Sequence, residues 1–130
     1  MSRFSCALFL LALVAAFGIK PVGACDEAAP AWRTMSESLV ILRSDEGVTH
    51  HLAVKIAIKP AQRRAGFQHI CSKWVQVWGV LFVFPTSQRS MFHMRNVRDD
   101  LDIAFIAEDG RIFELQKMPR ELNSAGGRSY

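Results

Sequence analysis

Between Leu39 and Met118 apolar side chains recur at every second position in several short runs, and that spacing restricts the chain to a mostly extended fold. His51 to Ile58 is the clearest case. Leu52, Val54, Ile56 and Ile58 share one face, and His51, Lys55 and small alanines the other, as in a half-buried strand. Leu39 to Leu42 is a short apolar run, and Asp45-Glu46-Gly47 between the two reads as a turn, so the first two strands should form a hairpin. Val77 to Phe84 is almost continuously apolar and stops at Pro85, which fits a central strand covered on both faces. Phe92 and Met94 alternate with Met91, His93 and Arg95, and Leu101, Ile103 and Phe105 with Asp102, Ala104 and Ile106. Asp109-Gly110 then leads into Arg111 to Met118 with the dipeptide that favours a tight hairpin turn. Pro60 can open one or two turns of helix that Gly66 ends. The expectation is a mainly β domain with a minor α part, a small β-sandwich or flattened barrel of about six strands with one short helix.

The start of the chain follows a different rule. After Arg3, Phe4 to Ile19 carries no charge and centres on Leu8, Phe9, Leu10, Leu11, Leu13 and Val14, the pattern of a signal peptide. The run falls short of the roughly 20 residues that cross a bilayer core, and Lys20-Pro21 interrupts it. Val22-Gly23-Ala24 supplies the small residues that signal peptidases require, so residues 1–24 read as a leader and Cys25 as the mature N-terminus. Small residues followed by Cys also make Cys25 a lipidation candidate, and two or more acyl chains would hold the protein firmly to a membrane. Membrane association could also come from an uncleaved leader. Either way the protein is expected in the periplasm, at the extracytoplasmic face of the envelope, or secreted. Residues 25–38 read as a flexible lead, 39–119 as the folded domain and 120–130 as a polar tail.

Loss of the leader removes Cys6 and leaves Cys25 and Cys71 in an oxidising compartment. They pair if Cys25 is unmodified; if it is lipidated, Cys71 stands alone as a buried apolar residue or a reactive thiol. Arg3 and Lys20 also go, so fourteen basic side chains face twelve acidic ones, with only Arg63-Arg64 adjacent. Charges this dispersed do not suggest nucleic acid as a partner. The remaining 106 residues suffice for one core.

Five segments together resemble the DUF192 family. They are Pro60 to Gly66, Gly79 to Phe84, Phe92-His93-Met94-Arg95-Asn96, Leu101 to Ile106 and Asp109-Gly110-Arg111-Ile112, in the family's order and spacing, within Leu52 to Pro119. The resemblance implies a small exported or membrane-associated protein with a β-sandwich-like fold and no assigned activity. The chain departs from the family pattern at Phe67-Gln68, where Leu-Met is usual. It departs again at His93 to Val97, where Trp-Met-Lys-Asn-Thr is usual, and at Asp100, which replaces an apolar residue or proline. Family members also continue past the equivalent of Met118-Pro119 into further strands, so the chain reads as shortened at its C-terminus.

The candidate ligand-binding residues are Arg63 on the short helix and His93, Asn96 and Asp102 on or beside two strands, all polar groups in apolar surroundings. They could line a pocket for a small polar or anionic ligand, because an arginine offers a fork of donors to carboxylate or phosphate. The reading preferred on general grounds is that they satisfy one another without a ligand, with Arg63 paired to Asp102 and Asn96 holding a turn. His69-x-Cys71 and His93-Met94 offer soft metal ligands, but His93 and Met94 are neighbours that point to opposite faces of a strand, and no CxxC or HxxxH spacing appears. No metal, cofactor or catalytic residue is assigned. The function expected is a non-enzymatic binding or envelope-associated structural module; the alternatives are a small hydrolase, with Cys71 as nucleophile and His93 as base, or a metal-binding periplasmic protein. Trp74, Trp78, Phe82, Phe84 and Phe92 are expected to be core rather than a carbohydrate platform.

Overall fold

A computed structural model of the chain describes residues 30–122 and 128–130. The leader and Cys25 lie outside the described residues. The elements in chain order are α1 (Pro30–Arg33), β1 (Ser36–Arg43), β2 (Thr49–Ala57), α2 (Pro60–Ala65), α3 (Ser72–Val75), β3 (Gly79–Phe82), β4 (Leu101–Ile106) and β5 (Ile112–Met118). They form a three-stranded sheet in the order β1-β2-β3 and a two-stranded sheet of β4 and β5. The fold is mainly β as expected, and the described residues form two small sheets and three short helices where one helix is expected. None of the described helices is long and apolar enough to cross a membrane.

The expected hairpins are present. β1 pairs antiparallel with β2, from Ser36 opposite Ile56 to Arg43 opposite Thr49. Gly47 closes their turn at φ 84°, a left-handed conformation that glycine adopts without steric cost. β4 pairs antiparallel with β5 around Asp109-Gly110, with a register shift at Phe105/Ile106. The third strand is parallel instead: β2 returns through α2 and α3 to β3, with Val54 opposite Gly79 and Ala57 opposite Phe82.

Two of the expected strands are shorter than their sequences suggest. Val77 and Trp78 spend their N–H groups on the carbonyl of Trp74, extending the turn of α3, so β3 begins only at Gly79. The run Met91 to Arg95 contributes a single bridge between His93 and Ser129, because the chain turns at Met94 to Val97, where Asn96 takes φ 60°. The described residues therefore contain five strands and an isolated bridge.

Burial on β2 also departs from its pattern. Val54 is buried as expected, but Leu52 and Ile58 are largely exposed, while Lys55 and Ala57 on the opposite face are buried. The reason is what docks there. Trp32 of α1, Met35 and Ile70 pack on Ala57, with Trp78, Val80 and Phe82 around them. Large side chains approach a sheet most closely where it presents a methyl group, so the alanine face receives the helices. Trp32 and Met35 thus place part of the expected flexible lead inside the core.

A second cluster of Met94, Val97 and Met118 joins β4 and β5 to the loop before them, with Phe92, Leu101, Ile103 and Tyr130 against it. Phe67 packs on both clusters. Edge-to-face ring contacts continue the link, Phe82 to Phe92 at 5.1 Å and Phe92 to Phe105 at 6.2 Å. The end of the expected polar tail docks as well, since Phe92 and Tyr130 exchange two main-chain hydrogen bonds of 2.9 Å.

Candidate functional site

Arg63 is positioned by α2, whose start is set by Pro60 and by Gln62. The Gln62 amide oxygen accepts the N–H groups of Ile58 (3.1 Å) and Lys59 (2.9 Å), two donors that a helix start leaves without partners. Its Nε2 donates to the Thr34 carbonyl at 3.0 Å and to the Thr34 hydroxyl at 3.1 Å, tying α2 to the turn after α1. Gly66 ends the helix at φ 45°, and its N–H donates back to Gln62 O at 3.1 Å.

Held this way, Arg63 reaches over the ends of the parallel pair. Its Nη1 donates to the carbonyls of Ile58, just past β2, and Val83, just past β3, the latter at 3.0 Å. The guanidinium also stacks over Phe84, 5.3 Å from the ring centre. Asp102 is not its partner. That aspartate is exposed on β4, opposite Lys117. The expected pairing fails because β2 and β3 end beside Arg63 with carbonyls to satisfy, whereas Asp102 points to solvent from the other sheet.

The other candidates also lie apart. Asn96 is exposed, and its carbonyl accepts the His69 N–H at 2.9 Å, joining two residues of positive φ. His93 is exposed beside the bridge to Ser129. No hydrogen bond or ion pair connects any two of Arg63, His93, Asn96 and Asp102. Cys71, which caps α3, is buried and disulfide-bonded, so its sulfur is neither a free nucleophile nor a thiolate ligand beside His69. Among the described residues no group of three or more His, Cys, Asp or Glu could hold a metal ion. Of the aromatic residues, Trp78, Phe82 and Phe92 join the clusters, while Trp74 stays exposed beneath Lys73.

The sequence reading missed two residues. Alternation places Lys55 on the polar face of β2, yet its ammonium is nearly enclosed, 5.8 Å from the Trp32 ring centre and 5.2 Å from that of Trp78, with Glu37 at 2.6 Å. The two indoles and the carboxylate stand in for lost water, which is how a charge survives burial. No sequence signal marks it. Gln62 was legible: a glutamine three residues into a helix opened by Lys59-Pro60 is in the position that reaches back to the first N–H groups. Asp100, which departs from the family pattern, accepts the Arg120 N–H at 2.8 Å and so joins the start of β4 to the chain beyond β5.

The DUF192 family model, described as an uncharacterised ACR group, matches residues 40–129. No curated protein matches the sequence. A crystal structure from Sinorhizobium meliloti 1021, provisionally described as a transcription regulator, superposes with a TM-score of 0.63. It shares 29% identity, over 73% of this chain and 72% of that one.

Proposed function

Since the chain belongs to the DUF192 family, we propose that it is an exported, non-enzymatic β domain that acts as a binding or structural module on the extracytoplasmic side of a bacterial membrane. The observation that carries this reading is the disulfide at Cys71. Structural disulfides persist in oxidising compartments and are rare where thiols are kept reduced. Cys71 is the only cysteine among the described residues, and the remaining two are Cys6 and Cys25. Export removes Cys6 with the leader, which makes Cys25 the partner in this reading. A Cys25 in a disulfide cannot also carry a thioether-linked lipid, so the reading is of a soluble exported domain.

The same disulfide argues against the hydrolase alternative, which needs Cys71 as a thiolate. The arginine that would best recognise an anion has Nη1 committed to two carbonyls. Ligands for this module are therefore sought on its surface rather than around Arg63. The regulator description belongs to the S. meliloti protein, and the dispersed basic residues here give no reason to carry it over.

Cell fractionation followed by intact mass spectrometry tests the proposal. The expected product is residues 25–130 in the periplasmic extract, lighter by two hydrogens than the fully reduced chain. A cytosolic product that keeps its leader and has free thiols would overturn it. A mass increment of acyl chains on Cys25 would replace the soluble module with an anchored one.

A further inference from the structure

The strand β1 is an open edge: among the described residues it pairs with β2 alone, and its outer N–H and C=O groups face away from the sheet. Its outward surface is not blunted. Leu39 and Ile41, on one face, are 58% and 60% exposed, and the strand has no proline, no lysine and no bulge. Such an edge is a template for another strand. The residue order Ser36-Glu37-Ser38-Leu39-Val40-Ile41-Leu42-Arg43 indicates which one.

We propose that β1 pairs antiparallel with β1 of a second copy of this chain, about a two-fold axis at Val40, forming one continuous sheet of three strands from each copy. Outward-facing main-chain groups recur at every second residue, so self-pairing brings together positions whose numbers sum to an even value. With Val40 opposite itself, Leu39 lies opposite Ile41 of the second copy, and Glu37 lies opposite Arg43, at both ends. Moving the axis to Leu39 sets Glu37 against Ile41; moving it to Ile41 sets Leu39 against Arg43. Only the Val40 register matches apolar with apolar and acid with base.

The partners on the page are ready for this. Glu37 gives Oε1 to Lys55 and is more than half exposed, which leaves Oε2 for an incoming guanidinium. Arg43 is exposed, and its side chain makes no hydrogen bond or ion pair among the described residues. A two-fold interface uses the same patch on both copies, and this strand is complementary to itself. The inference does not rest on export or on the disulfide.

Sedimentation equilibrium of the chain as recovered from cells tests it directly. A reversible dimer in the micromolar range is expected, and Arg43→Glu, which sets like charges opposite Glu37, should weaken it by about tenfold or more. Ile41→Lys should do the same, with the circular dichroism spectrum of the monomer unchanged. For the register, Val40→Cys should cross-link to itself under mild oxidation. Leu39→Cys should not, but should cross-link to Ile41→Cys when the two are mixed. A wild-type chain that stays monomeric throughout overturns the proposal without any variant. So does a dimer indifferent to both surface substitutions, or a Leu39→Cys chain that cross-links to itself.

Discussion

A charged side chain in this protein is settled by what surrounds its end rather than by its place in the pattern. Arg63 shows this most directly, because Nη1 satisfies the last carbonyls of two strands and the guanidinium plane lies on Phe84. Lysine has no guanidinium to lay over Phe84 while reaching both carbonyls, so Arg63→Lys should lower stability nearly as much as Arg63→Ala, by about 1–3 kcal/mol. Urea denaturation measures it; a lysine variant of wild-type stability would show that charge alone suffices. Glu46 in the hairpin turn is a smaller case. The Ser44 hydroxyl and its own backbone N–H hydrogen-bond its carboxylate and hold its pKa below the ordinary glutamate value of 4.5. A depressed pKa means that the folded state favours the charged form. Its contribution is present above the unfolded pKa and lost as pH falls through the folded one. Carboxyl carbon NMR should find Glu46 titrating below 4.5 in the wild type and moving upward in Ser44→Ala; equal midpoints would remove the hydroxyl from the account.

Among the elements, α2 depends on Gln62 more than on helix propensity, since six residues are too few to be stable alone. Gln62→Ala would orphan the Ile58 and Lys59 N–H groups and cut the tie to Thr34, at a cost of about 1–3 kcal/mol. Gln62→Glu keeps the acceptor and loses the donor, so its melting temperature should fall between those of wild type and alanine variant. If the glutamate variant melts with the alanine variant, the bond to Thr34 is the part that matters. The strands were legible where turn chemistry and alternation agreed, as around Gly47 and Asp109-Gly110. They were not where a neighbouring element competed for the same N–H groups, as α3 does for Val77 and Trp78.

The whole molecule is held by few bridges between its two sheets, chiefly Phe67 and the ring series through Phe82, Phe92 and Phe105. Phe67→Ala should therefore cost about 3–5 kcal/mol, as core aromatic truncations do, and also split the unfolding transition. Tryptophan fluorescence would report the first cluster, where Trp32 and Trp78 lie, and far-UV circular dichroism both sheets. Transitions that still coincide would show that the two clusters do not depend on Phe67 for their coupling. By itself the sequence determined the β-rich class, the family, both hairpins and the helix opening at Pro60, because alternation and turn chemistry are local properties of neighbouring residues. Only the tertiary structure decided that β3 runs parallel to β2, that Lys55 and Ala57 on the second face of β2 are buried, that Lys55 sits between two indoles and that Arg63 serves strand ends rather than Asp102. Those outcomes depend on which distant side chain arrives where a methyl, a carbonyl or a charge is left uncovered, and no spacing along the chain encodes that.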